Sequence, residues 1–579
     1  MKPILLSLLL LFAVPVCAAL PPVFPAEAVE KSQADLRTTT YLSPVRVMWI
    51  QNEELVEGAD HLLAKGKGQM INAPYPHCVM TSREGRRPSL LLDFGREIQG
   101  GVQIVTAGIT GHKPARVRVR LGESASEAMC EITPESGATN DHAMRDYVMY
   151  LPWYGVSETG NSGFRFVRID LLEDDVVVPV QEIRAKFTYR DIPYLGSFRS
   201  SDPRLDSIWM TGAYTVHLNM QDYLWDGIKR DRLVWMGDAH PELCTMLAVF
   251  GDNEVMKKTL DQTPLPGWMN GICAYSLWWA LIHHDYYMYT GDLDYLREQQ
   301  SYMNALFDMA AGMVDGQGRE HMTGAGRFLD WPTSRDRKAV DAGLHALLLM
   351  TFDAGIRMAG ALGDTALAAK CSSAAERMRK VTPDYATTKQ SAALAALAGL
   401  VPARQVNEEV LKKGGVEGFS TFYGYYMLQA KAKAGDYAGA IDNIDTYWGA
   451  MLDLGATTFW EDFDIKWLDN AARIDELVPE GKVDVHRSYG DFCYKGFRHS
   501  FCHGWASGPT AWLSEHVLGI SIVEPGCKAV RVRPHLGGLQ WAEGTFPTPY
   551  GVISVRHERQ GDGTVKSKIS APKGVKIVR

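Results

Sequence analysis

Three short segments of this sequence combine acidic side chains with tryptophan, and they are where it could do chemistry. The densest segment, residues 226–238, reads DGIKRDRLVWMGD and holds three carboxylates, three cations and Trp235. A solvated charged connector is the alternative interpretation. Trp225 directly precedes this segment and Trp235 lies in it, and apolar helical runs flank both. Because its charges also balance locally, we interpret the segment as a half-buried ionic network.

The other two segments add a second acidic group and more aromatic surface. Residues 455–464 read GATTFWEDFD, with Glu461 directly after an aromatic pair, and His503 follows in FCHGW. Asp330 and Trp331 precede a proline, a pattern that also suits a capped helix entry. Two carboxylates from separate segments are what glycoside hydrolysis requires, since one protonates the leaving oxygen and the other activates water. Polysaccharide lyase chemistry, with a Tyr or His base near an uronate, remains the alternative.

Other kinds of chemistry find little support. His283, His284 and Asp285 are consecutive and suggest a metal site, but adjacent residues on a helix point to different faces, which favours a structural role. Phosphate-binding loops, nucleophile elbows and zinc-ligand spacings are absent from the sequence. We therefore predict no metal and no cofactor.

Composition excludes several classes of protein. The chain has 579 residues, is 46% hydrophobic, and carries 60 Lys and Arg against 68 Asp and Glu, for a net charge of -8. This is a globular composition without the basic excess that nucleic-acid binding needs. Nine cysteines without a C-x-x-C pattern are too sparse for a disulfide scaffold, and Cys493 and Cys502 are either a pair or two buried thiols.

The first residues predict export. Lys2, an apolar run over residues 4–16 and the small residues Ala18 and Ala19 are typical of a bacterial signal peptide covering residues 1–19. Lipidation of Cys17 is the alternative. No later run reaches the ~18 apolar residues of a membrane helix, so we expect a periplasmic or secreted protein without a membrane span.

Periodicity divides the remainder into three parts. Residues 20–195 show β-branched alternation and predict a β-sandwich, and residues 519–579 predict a small C-terminal β domain. Residues 196–518 read as successive helices, with Gly-Asp pairs recurring every 72 residues at Gly291, Gly363 and Gly435. Another helix-ending glycine, Gly399, falls halfway between the last two pairs, so the spacing indicates a helical hairpin of about 36 residues, repeated six times. Gly- and Trp-rich interruptions favour an (α/α)6 toroid, a six-hairpin barrel, over an open solenoid.

Taken together, these segments resemble a known family. Residues 226–238, residues 455–461 and the Asp330–Trp331 pair are similar to the signature segments of the bacterial α-L-rhamnosidases of glycoside hydrolase family 78. Residues 92–95, 121–124 and 524–544 are similar to its flanking β domains. The resemblance covers nearly the whole chain after residue 19. It implies inverting hydrolysis of terminal α-L-rhamnose, or a similar deoxysugar, from an oligosaccharide, polysaccharide or glycoside, without a catalytic metal.

The resemblance also implies roles for individual residues. Asp231 matches the general acid and Glu461 the general base. The residues that match or neighbour its substrate-binding positions are Asp226, Arg230, Trp235, Asp238, Trp279, Asp330, Trp331 and His503. One position departs from the family, which usually has Glu where this chain has Asp231, a side chain one methylene shorter and a stronger acid. For inversion we expect the two carboxyl groups to stand about 6.5–9.5 Å apart across a pocket.

Two further hypotheses remain open beside this one. A six-hairpin enzyme could act on another sugar or by lyase chemistry, and a catalytically silent carbohydrate-binding protein could have kept the pocket. Turnover and binding assays separate the three.

Overall fold

The computed structural model describes residues 20–66, 68, 76–264 and 266–578. The predicted signal peptide, residues 1–19, and the alternative lipidation of Cys17 lie outside the described residues. Within them, strands precede and follow a central helical region, which confirms the predicted order of architectures.

The N-terminal part is an antiparallel β domain with its own hydrophobic core. Its elements are α1 (Ala26–Glu30), β1 (Arg37–Leu42), β2 (Arg46–Gln51), β3 (Val56–Glu57), β4 (Cys78–Ser82), β5 (Ser89–Thr106), β6 (Ala115–Gly122), α2 (Ala125–Met129), β7 (Asp146–Leu151), β8 (Gly155–Glu158), β9 (Ser162–Leu171) and β10 (Val176–Arg190). The long strand β5 changes partners along its length, pairing with β2 and β9 first and with β8 and β10 later. Alternation in β6 buries Val117 and Val119 as the sequence pattern predicts.

The central part consists of helices, three of which end at a Gly-Asp pair. These helices are α3 (Pro203–Asn219), α4 (Ala239–Val249), α5 (Glu254–Gln262), α6 (Cys273–Thr290), α7 (Leu293–Glu298), α8 (Gln300–Gly312), α9 (Arg337–Leu362), α10 (Thr365–Met378), α11 (Lys389–Leu397), α12 (Ala403–Val406), α13 (Gly424–Ala434), α14 (Tyr437–Asp453), α15 (Val485–Ser488) and α16 (Gly508–Trp512). Gly291, Gly363 and Gly435 end α6, α9 and α13 with positive φ, and the aspartate after each glycine caps the next helix.

Six of these helices form an inner ring, as predicted for the toroid. In order around the ring α4, α6, α9, α11, α13 and α16 each contact the next, and α16 contacts α4. Among the described residues, α9 alone is long and apolar enough to cross a bilayer, and 78% of its most apolar window is buried inside the protein.

The C-terminal part packs two small sheets onto the ring and shares its core. The strands are β11 (Ser197–Ser200), β12 (Ile520–Glu524), β13 (Ala529–Val532), β14 (Trp541–Thr548), β15 (Gly551–Arg559), β16 (Val565–Ser570) and β17 (Lys576–Val578). β11 precedes the first ring helix in sequence but pairs with β14, so the C-terminal sheet includes a strand from the start of the region predicted to be helical.

The eight cysteines of the described residues are all free thiols. Cys502 is buried with its Sγ 3.9 Å from the Thr215 carbonyl oxygen, so no bridge joins it to Cys493.

A buried ionic cluster joins the N-terminal β domain to the helical ring. The Lys229 ammonium lies 2.9 Å from Glu123 Oε2 and 3.2 Å from Glu127 Oε1, and all three side chains are at most 3% exposed. Lys229 also donates to the carbonyl oxygens of Phe497 and His499. Burial lowers the pKa of Lys229 to about 8, although Glu123 opposes the shift. Desolvated charges of this kind are tolerated only while they are paired.

Replacing Lys229 tests this cluster. Lys229→Met leaves two carboxylates buried without their cation, so we expect a loss of about 3–5 kcal/mol in the free energy of unfolding, measured by denaturant titration. Lys113→Met, at an exposed position of the β domain, is the matched control and should change little. Equal unfolding midpoints for the two variants would refute the proposed contribution of the cluster.

Candidate active site

The loop between α3 and α4 is folded around the carboxylate of Asp226. Asp226 Oδ2 accepts the backbone N–H of Asp231 at 2.7 Å, and Oδ1 accepts that of Leu233 at 3.0 Å. Burial raises the pKa of Asp226 to about 7; His503 opposes this shift, while the nearby charges of Asp231 and Asp238 add to it. Asp226 therefore fixes the backbone that carries Asp231.

Backbone hydrogen bonds join the first predicted segment to the segments around residues 459 and 503. Gly504 donates its N–H to the Asp226 carbonyl at 2.8 Å, and His503 donates its N–H to the Phe459 carbonyl at 2.9 Å. A Cβ on Gly227 would lie only 2.4 Å from the Arg230 carbonyl oxygen, so a glycine is needed where the segments meet. Glu461 completes the junction by donating its N–H to the Ser500 carbonyl at 2.9 Å.

One guanidinium contacts both predicted catalytic carboxylates. Arg230 Nη2 donates to Glu461 Oε1, and Arg230 Nε lies 3.5 Å from Asp231 Oδ1. Arg230 Nη1 is held by the Cys493 carbonyl at 3.0 Å. The Glu461 side chain is 3% exposed and that of Asp231 is 18% exposed, so the two acids differ in access to solvent. The predicted spacing of 6.5–9.5 Å stays a prediction.

The carboxylate of Asp231 is held by two further side chains, one from each domain. Trp235 Nε1 donates to Asp231 Oδ2 at 3.1 Å, and His142 Nε2 lies 3.2 Å from Asp231 Oδ1. His142 belongs to the N-terminal β domain and is itself 3.2 Å from Arg498 Nη2. The sequence analysis missed His142, because no pattern around it points to chemistry and its contact depends on the packing of two domains.

Asp238 anchors a second polar group at the start of α4. Its Oδ1 accepts the Tyr275 hydroxyl at 2.9 Å, and its Oδ2 lies 3.2 Å from His503 Nε2. Burial lowers the pKa of His503, but the charges of Glu461 and the nearby aspartates outweigh burial, so the pKa is raised overall. Tyr275, which the sequence analysis also missed, packs against Gly237, where a Cβ would meet the ring at 2.3 Å.

An aromatic wall runs from Asp231 along one side of the site. Ring centroids are 6.1 Å apart for Trp235 and Tyr275, 6.4 Å for Tyr275 and Phe328, 5.1 Å for Phe328 and Trp331, and 5.4 Å for Trp331 and Phe492. Trp235, Trp331 and Phe492 keep part of their surface exposed. These rings offer the flat apolar surface that a pyranose needs.

Two predicted substrate-binding residues are not presented to this site. Trp279 is fully buried one helical turn beyond Tyr275 and packs against His283 and Tyr302, with ring centroids 4.1 and 5.0 Å away. The prediction that Trp279 lines the pocket is therefore wrong.

Asp330 is the second of these residues. It is 1% exposed, and its carboxylate accepts the hydroxyls of Ser420 and Thr333 at 2.7 and 2.8 Å and the Gln390 amide at 3.2 Å. Because its acceptors are occupied, Asp330 holds the segment that carries Trp331 in place and does not face a ligand.

Family models match most of the described chain. Residues 193–517 match the bacterial alpha-L-rhamnosidase 6 hairpin glycosidase domain, and residues 519–578 match the bacterial alpha-L-rhamnosidase C-terminal domain. The chain belongs to this family, glycoside hydrolase family 78. An alpha-L-rhamnosidase of Alteromonas sp. (strain LOR) is 26% identical to this family member over 474 residues, 71% of this chain and 48% of the relative. The chain thus spans about half the length of that relative.

Solved structures of family members show the same fold. The GH78 family rhamnosidase of Bacillus sp. GL1 superposes with a TM-score of 0.73 at 20% identity, covering 90% of this chain and 55% of that one. A rhamnosidase from Klebsiella oxytoca with rhamnose bound gives a TM-score of 0.65 at 18% identity, covering 83% and 96%.

Removing the Asp226 carboxylate should loosen the loop that carries Asp231. In Asp226→Ala the N–H groups of Asp231 and Leu233 lose their acceptors, at about 1–3 kcal/mol for each buried donor. We expect amide hydrogen exchange across residues 226–233 to accelerate about tenfold or more, as measured by mass spectrometry. Asp222→Ala, which removes a half-exposed carboxylate from the same loop, is the control. Unchanged protection in Asp226→Ala would contradict this role.

Proposed function

We propose that this family member is an exported glycoside hydrolase that removes terminal α-L-rhamnose from an oligosaccharide, polysaccharide or glycoside, with inversion. The observation that carries the proposal is the contact of Asp231 and Glu461 with the single guanidinium of Arg230, next to the aromatic wall. Family membership supports the choice of sugar. The case for export comes from the sequence of residues 1–19 alone.

The asymmetry of the Arg230 contacts supports the two catalytic roles that we propose. Arg230 donates a hydrogen bond to Glu461 and holds this carboxylate in place. It stays 3.5 Å from Asp231, which is the more exposed acid and can reach a leaving oxygen. Asp231 thus protonates the departing oxygen while Glu461 takes a proton from the attacking water.

The remaining groups suit recognition of a deoxysugar. Asp238, His503 and Tyr275 form a buried hydrogen-bonded set near the start of α4, and His503 Nδ1, which has no partner within the described residues, is the atom of this set left to bind a sugar hydroxyl. The rings of Trp235 and Trp331 offer an apolar surface to the ring face and the methyl group of rhamnose.

A panel of aryl glycosides and rhamnose-terminated oligosaccharides tests the proposal with the wild type and Asp231→Asn. We expect rhamnose to be released first as the β anomer, observed by proton NMR, and we expect the activity in the periplasm or medium of the producing cells. Asp231→Asn should lose about 10²–10⁴-fold on oligosaccharides and less on aryl glycosides, whose leaving groups need little protonation.

Other results of this panel identify the alternatives. Unsaturated products from uronic substrates would indicate a lyase. Binding of rhamnose without turnover would indicate a silent carbohydrate-binding protein, and the α anomer appearing first would exclude inversion.

Glu461→Gln isolates the general base. Glutamine keeps the shape and still accepts a hydrogen bond from Arg230 through Oε1, but it cannot take a proton from water. We expect turnover to fall by about 10²–10⁴-fold or more, while the dissociation constant for rhamnose, measured by calorimetry, stays nearly unchanged. Asp464→Asn, an exposed acid three residues away, should keep full activity. Normal hydrolysis by Glu461→Gln would remove Glu461 from the mechanism.

A further inference from the structure

A cavity lies between the helical ring and the C-terminal strands, and none of its lining residues belongs to the candidate active site. Its volume is about 510 Å³, and its lining comes from α4, α6, α9 and α13 and from the C-terminal strands β12 and β14. Asp238 precedes α4, and the cavity is lined by the α4 face that runs from His240 to Ala248 and by α6 from Trp278 to its C-terminal end. The charged groups that line it are Asp285, Asp353, Glu515 and Arg357, and Arg379 already pairs with Asp353.

Three metal-ligating side chains converge on the wall of this cavity. His240 and Cys244 are four residues apart on α4 and share one face, and Asp285 projects from α6 opposite them. One ligand atom from each of the three lies within 4.8 Å of the other two. Zinc-class ions bind at about 2.0–2.3 Å from nitrogen, oxygen and sulfur ligands, so small side-chain rotations are enough to close such a site.

The surrounding contacts already orient these ligands. His240 Nδ1 lies 2.9 Å from the Tyr426 hydroxyl, and its ring is stacked on Trp278 at 4.8 Å, which leaves Nε2 directed at Asp285 Oδ2, 3.1 Å away. The other oxygen of Asp285 is 2.7 Å from His284 Nδ1. Hydrogen bonds on the far side of a histidine and a carboxylate are the arrangement that holds metal ligands in place.

We propose that His240 Nε2, Cys244 Sγ and the Asp285 carboxylate bind one divalent cation of the zinc class, with a fourth position open to the cavity. Binding releases the thiol proton of Cys244 and the proton shared by His240 and Asp285, and the cation takes their place. Thiolate and imidazole ligands select zinc, cobalt or nickel over calcium and magnesium, which prefer oxygen ligands. The proposal is independent of the sugar substrate.

A second cluster with metal-ligand chemistry does not qualify. Glu123, Glu127 and His486 also bring ligand atoms together. The Lys229 ammonium lies 2.9, 3.2 and 3.5 Å from their side-chain atoms, so a protein cation already fills that centre.

Titration of the purified, chelator-treated protein with Co²⁺ and then Zn²⁺ tests the proposal. We expect one equivalent of Co²⁺ to bind with a sulfur-to-cobalt charge-transfer absorption, which Zn²⁺ then removes. Cys244→Ser should abolish this absorption and weaken Co²⁺ binding at least about tenfold. Asp285→Asn should weaken binding to a similar extent but keep the absorption.

Cys273 is a buried thiol on α6 that does not line the cavity. Cys273→Ser is therefore the matched control and should bind Co²⁺ as the wild type does. Cys244→Ala serves if the serine variant does not fold, which circular dichroism would show. Absence of the charge-transfer absorption in the wild type, or its persistence when Cys244 is replaced, would overturn the proposal. Unchanged affinity in Asp285→Asn would do the same.

Discussion

The structure depends on two adjacent cations, Lys229 and Arg230, buried in the loop that leads to α4. Lys229 pairs with Glu123 and Glu127 of the β domain, and Arg230 pairs with Glu461 of the helical ring. The loop therefore lies between the acidic side chains of the β domain and that of Glu461. If either cation moved away, a buried carboxylate would be left unpaired. Asp231 follows directly in the chain, so its position is set from both sides.

This constraint gives the β domain a direct part in the site. The domain supplies His142 to the carboxylate of Asp231 and the Asn161 carbonyl to Arg232, 3.0 Å away. Asp231 has a shorter side chain than the glutamate usual at this position, yet its carboxylate is held by Trp235 and His142 and its backbone by Asp226. The shorter acid thus has a defined place, fixed by groups from both domains.

Local signals in the sequence predicted most of the fold. The Gly-Asp pairs mark helix ends correctly because a left-handed glycine and a capping aspartate act within a few residues. The meeting of Asp231 and Glu461 was predicted from resemblance, since no local rule brings residues so far apart together. The prediction for Trp279 came from the same resemblance, and a match in sequence position does not show that the side chain is exposed to the pocket.

The sequence analysis missed residues whose role depends on contacts between distant parts of the chain. Tyr275 and His142 reach the site through tertiary contacts with Asp238 and Asp231, which leave no spacing signal. Asp330 was read as a ligand contact, although a threonine three residues later already accounts for one of its oxygens. Buried polar groups need partners, and only the packed structure shows whether those partners are protein or ligand.

The pairing of β11 with β14 bears on how the polypeptide is made. β11 lies just before the ring helices in sequence, and its partner strand ends at residue 548, so closing this sheet joins distant parts of the chain. Because Ser197 pairs with Thr545, β11 cannot form these hydrogen bonds until nearly the whole described chain has been made. Such long-range closure slows folding and leaves a strand edge and apolar helix faces open to chaperones in the meantime.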